Sequence, residues 1–72
     1  MRYAVIIEKG PEGYGAYVPD LPGCVAAGKS REEVMKLIQE AIEFHIEALR
    51  AEGITIPVPS SFAGVIEVDS AA

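Results

Sequence analysis

A chain of 72 residues with one cysteine and one histidine is a single small domain that can form neither an intrachain disulfide nor a closed zinc site, which needs four ligands. A net charge of −5, with only Lys29 and Arg31 close together among the basic residues, argues against a phosphate-binding face, and no direct nucleic-acid binding is expected. With no apolar run of membrane-spanning length, no signal-peptide pattern at the start and a lone free thiol, a cytoplasmic protein is expected.

Arg2 to Glu8 is rich in β-branched and aromatic residues, which favour a strand. Tyr3, Val5 and Ile7 alternate onto one face, and Ala4 and Ile6 onto the other, so both faces carry apolar groups. Lys9 to Gly13 is a turn of glycine, proline and polar residues. Tyr14 to Val18 completes a hairpin, with Gly15 marking a bulge or a close backbone approach.

Val18-Pro19-Asp20-Leu21-Pro22-Gly23-Cys24 is the most constrained stretch. Each proline fixes its own φ and pushes the preceding residue toward extended geometry, while Gly23 gives access to positive φ. A stiff corner is expected, leading into a short third strand over Cys24 to Gly28 whose small side chains leave room for a helix above.

That helix is predicted over Ser30 to Ala51. Ser30 and Glu33 have capping-box spacing. Val34, Leu37, Ile38, Ala41, Ile42, His45, Ala48 and Leu49 recur at helical spacing as one apolar stripe, and Gly53 suits the position just past the end. Met35, Phe44 and Ile46 widen the stripe beyond what one sheet face needs. Ile54 to Pro59 carries two prolines and reads as a rigid connector, and Phe62 to Val68 reads as a fourth strand.

The predicted fold is therefore α+β, with two layers: an antiparallel sheet with one helix packed on one face, in the order β-β-β-α-β. One domain is expected over residues 1–69, with a disordered end at 70–72. So short a chain buries only about 60% of the surface its unfolded form exposes. With disulfides and zinc excluded, a partner chain is the remaining supplement, and a homodimer or higher homo-oligomer is expected. The candidate interface residues are Ala4, Ile6, Leu21, Met35, Phe44 and Ile46.

The chemistry-bearing residues point away from catalysis. His45 lies in the apolar stripe with no nucleophile or carboxylate placed to act with it. Cys24 has no neighbouring cation to lower its pKa and reads as a small buried side chain. Glu40, Glu43 and Glu47 share the polar helix face. Asp20, held by the corner, reads as a turn residue bonding nearby backbone N–H groups. No catalytic, metal or cofactor residue is assigned, and no cofactor is expected.

The run Tyr17 to Cys24, then Gly28, the capped Ser30-Arg31-Glu32-Glu33 helix start and the later Gly53 with Ile56-Pro57-Val58-Pro59 resemble the HicB antitoxin family, in its short, single-domain, formerly uncharacterised UPF0150-type form. The resemblance covers Arg2 to about Val68. It implies a partial ribonuclease-H-like fold, dimerisation and a non-catalytic, protein-binding role in a type II toxin–antitoxin system. The implied partner is a small basic ribonuclease toxin that cleaves mRNA and whose active site is masked. Many family members carry a C-terminal DNA-binding domain. Here only Asp69-Ser70-Ala71-Ala72 follow the last predicted strand, so no DNA binding is carried over. Two other readings compete. One is an orphan dimeric domain that binds another protein or a small ligand. The other is a metal-dependent hydrolase or nuclease, which would require carboxylates such as Glu8, Asp20 and Glu67 to converge.

Overall fold

In a computed structural model that describes residues 1–70, strand β1 spans Ile6–Lys9, β2 Tyr14–Tyr17, β3 Val25–Gly28, and helix α1 Arg31–Ala51. The strands form one antiparallel sheet in the order β1-β2-β3. The register Ile7↔Ala16↔Ala26 sets the face that meets the helix, and Ile6↔Tyr17↔Val25 sets the opposite face. Pairing runs one-to-one through Glu8↔Gly15↔Ala27, so Gly15 forms no bulge. β1 is shorter than the sequence suggests. Continuing its register would set Ala4 against Pro19, which has no N–H to give a ladder.

The corner consists of two successive turns. Leu21 N–H donates to Val18 O at 3.1 Å, and Cys24 N–H donates to Leu21 O at 3.0 Å. Pro19 and Pro22 each occupy the second position of their turn, where a fixed φ is already correct. Gly23 follows Pro22 with φ of 84°, the positive φ that a type II turn demands at its third position.

Leu21, shared by both turns, is fully buried. Its expected place among the interface residues is overturned: the paired turns fold it inward, where it joins Ala16, Val18, Cys24, Val34 and Ile38 in the core. Cys24 is also buried, and burial pushes its thiol pKa up.

Helix α1 is capped at both ends by its own sequence. Ser30 is extended (φ −138°, ψ 165°), and its Oγ accepts from Glu33 N–H at 3.1 Å. The Glu33 Oε1 accepts from Lys29 N–H at 2.9 Å, one residue before the cap itself. At the other end Ile54 N–H donates to Leu49 O and Gly53 N–H to Arg50 O, with Gly53 at φ 71°; this is a Schellman closure.

The helix packs on β3 and β2, leaving β1 at the uncovered margin. At about 1.5 Å per residue α1 is roughly 32 Å long, whereas a four-residue strand spans only about 13 Å. Burial is accordingly concentrated in its first half, at Val34 and Ile38. Ala41, Ile42 and Ile46 are half-buried against the core, whereas Leu37 and Ala48 of the predicted stripe are exposed.

The α+β layering stands, but the element order among the described residues is β-β-β-α. The expected fourth strand at Phe62 to Val68 is absent because these residues have no neighbouring strand to complete a ladder. Phe62, Val65, Ile66 and Val68 are 80–96% exposed. The expected disordered end falls partly on residues 71 and 72, which lie outside the described residues.

Candidate functional site

Two exposed apolar surfaces flank the small core. The first is the sheet face opposite the helix. Strand alternation and the register place Ile6, Tyr17 and Val25 side by side across all three strands. Tyr17 and Val25 are 42% and 64% exposed, and the neighbouring row is Glu8, Gly15 and Ala27. Ala4, half-buried, extends this face beyond β1. The second is the helix, whose exposed apolar residues form two separate patches on opposite sides: Phe44 is 76% exposed near Glu47, Ala48 and Ala51, and Met35 is 46% exposed near Tyr3, Val5 and Ile7. The candidate interface residues thus divide between two surfaces, with Leu21 buried and Ile46 partly committed to the core.

The best-organised polar constellation is a clamp that sequence reading missed. Asp20 Oδ2 accepts from the backbone N–H groups of Ser60 and Ser61, both at 2.9 Å. Its Oδ1 accepts from the hydroxyls of Ser60 at 3.1 Å and Ser61 at 2.8 Å. The Ser60 and Ser61 N–H groups, helped by the Ser61 hydroxyl, stabilise the charged carboxylate and hold its pKa at about 2 instead of 3.8. Asp20 was expected to bond backbone close by in sequence. Its partners lie 40 and 41 residues away, and no local pattern announces such a pairing. A second tether joins the same tail to β1's approach, with the Tyr3 hydroxyl donating to Pro57 O.

This arrangement anchors the tail to the corner and to the approach of β1. Both Asp20 oxygens are occupied, Glu67 lies on the exposed tail and Glu8 on the open sheet face. Among the described residues no group of three His, Cys, Asp or Glu side chains could hold a metal ion. His45 is half-exposed on the helix, and Glu40, Glu43 and Glu47 face solvent.

Residues 3–70 match the family model described as HicB-like antitoxin of bacterial toxin–antitoxin system. The chain belongs to the HicB-like antitoxin family. A UPF0150 protein of Helicobacter pylori is 51% identical over 52 residues, covering 72% of this chain and 72% of the relative. Antitoxin HicB 2 of Photorhabdus laumondii is 34% identical over 65 residues, covering 85% of this chain and 44% of the relative. Among solved structures, a chain of a HicA3 and HicB3 toxin–antitoxin complex superposes with a TM-score of 0.71 at 40% identity, covering 82% of this chain and 70% of that one. The HicB-like chain spans only 43–44% of the longer curated relatives it matches. The family match runs through Ser60, Ser61 and the exposed tail, so the clamp and the segment beyond it belong to the HicB-like unit.

No described helix of the HicB-like chain is long and apolar enough to cross a membrane.

Proposed function

We propose that this HicB-like chain is a non-catalytic, cytoplasmic, homodimeric antitoxin module that binds and masks a small basic toxin ribonuclease, without contacting nucleic acid itself. The observation that carries this reading is the 40% identical, 0.71 TM-score likeness to a toxin–antitoxin complex. The open sheet face suits the role. Ile6, Tyr17 and Val25 supply an apolar centre, and a chain of net charge −5 is complementary in charge to a basic partner.

Co-expression with a HicA-type toxin tests the proposal. The expected result is a co-purifying complex in which mRNA cleavage is suppressed, with capture lost in the double variant Tyr17→Lys, Val25→Glu while the helical circular-dichroism signal persists. A toxin that stays fully active and unbound beside the folded wild-type chain would overturn it.

A further inference from the structure

Among the described residues β1 is an edge strand, with β2 on one side and no ladder partner on the other. Because the helix sits over β3 and β2, the helix-side face of β1 is also incompletely covered. Tyr3, Val5 and Ile7, with Arg31, Glu32 and Met35, line an open trough of about 650 Å³ there. An unpaired edge beside an apolar trough is a template for one more strand.

The chain itself carries a strand of matching chemistry. Phe62, Gly64, Ile66 and Val68 alternate with Ala63, Val65 and Glu67, giving one apolar face and one mixed face. These residues have strand-forming sequence, yet no backbone hydrogen bond joins residues 62–70 to the rest of the described chain. In the single chain the segment does not follow β1. The Asp20 clamp holds Ser60 and Ser61, the chain passes Arg2 to Val5, and the residues beyond project outward. The long axis reaches 52 Å, well beyond the roughly 32 Å that a helix of this length supplies. A projecting apolar strand and an unpaired edge on one small molecule are mutual complements between copies.

The geometry points to reciprocal strand exchange between two copies of this chain: Phe62–Val68 of each copy pairs with the free β1 edge of the other. Its Phe62, Ile66 and Val68 face fills the trough formed by Tyr3, Val5, Ile7 and Met35. This rests on the homodimer reading and goes beyond it by naming both halves of the interface. The exchange restores a fourth strand that the single chain cannot form alone, and it removes three large apolar side chains, Phe62, Ile66 and Val68, from solvent, all of them 80–93% exposed in the single chain.

The test uses the full chain. Isotope-labelled and unlabelled wild-type chains are unfolded, mixed and refolded together, and filtered NOE spectra are recorded alongside sedimentation equilibrium. A dimer with cross-chain NOEs from Phe62, Ile66 or Val68 to Tyr3 or Ile7 is the expected result. Ile66→Lys, which places a charge in the trough, and Val65→Pro, which removes a ladder N–H, should each weaken association by on the order of tenfold or more with the helical signal retained. NOEs confined within one chain, a dimer without NOEs from the tail, a monomeric wild type, or two variants that associate as tightly as wild type would each overturn the exchange. Toxin capture is measured on the same samples. A monomer that still captures toxin defeats the exchange and leaves the antitoxin reading standing, whereas an exchanged dimer that captures none defeats only the latter.

Discussion

The corner at Val18–Cys24 and the tail from Ile54 onward have the same kind of sequence, extended and punctuated by pairs of prolines, yet they are held in opposite ways. The corner is closed by its own backbone, with Val18 O and Leu21 O each accepting from a residue three positions on. The tail makes no such internal turn bonds after the helix cap and is held through side chains, by Asp20 and by Tyr3. Proline stiffens both segments, but stiffness fixes a direction only where hydrogen bonds close the geometry. The corner therefore contributes a buried side chain to the core, and the tail contributes exposed ones to the surface.

That contrast can be broken most forcefully at its buried end. Leu21→Ala should destabilise the chain by about 2–5 kcal/mol, the range for emptying a packed leucine site, as read from urea unfolding. A loss under about 0.5 kcal/mol would mean that the corner does not support the core. Ser30→Ala, which removes a cap and leaves the corner intact, should cost about 1 kcal/mol in the same assay.

The tail should respond locally. In Asp20→Asn the amide protons of Ser60 and Ser61 should exchange faster by about an order of magnitude, while core amides at Ala16 and Ile38 hold their protection. The same release should follow from acid. Asp20 has a folded pKa of about 2, below its ordinary 3.8, so its contribution is fully present above about pH 4 and is lost as pH falls toward 2. Proteolysis of residues 60–70 by pepsin, compared between pH 4 and pH 2, reads the release directly. Equal cleavage at both values would show that the clamp does not hold the tail in solution.

What was legible in the sequence follows the same division. The helix, its Ser30–Glu33 cap, the Gly53 closure and the hairpin depend on residues within a few positions of one another, and periodicity and turn chemistry report such relations. The α+β layering follows from them. The family resemblance, carried by Tyr17 to Cys24 and the later Pro57-Val58-Pro59, is likewise a matter of local motifs, and the match over residues 3–70 agrees with it.

Relations across the chain were not legible. Asp20 reads as a local turn residue because nothing near it signals partners 40 residues away. Leu21 reads as exposed because a proline-flanked leucine in a loop gives no sign of which way two consecutive turns will point it. Phe62 to Val68 has the composition of a strand, but a strand is completed by a neighbour, and composition does not say whether that neighbour lies in the same chain. Among the candidate surface residues, the pattern placed Ala4 and Ile6 on the face away from the helix, but it could not show that Met35 would lie by β1 and Phe44 farther along the helix.

The Asp20 clamp makes tolerance to substitution lopsided. On the tail side, replacing either serine by alanine removes one hydroxyl bond and leaves the backbone N–H bond in place, so the attachment degrades in steps. On the corner side everything converges on one carboxylate. Asparagine would remove the negative charge that strengthens all four bonds, and glutamate would set its oxygens about one methylene too far out. Sequence drift is therefore affordable at positions 60 and 61 and abrupt at 20, although all three residues belong to the same four hydrogen bonds.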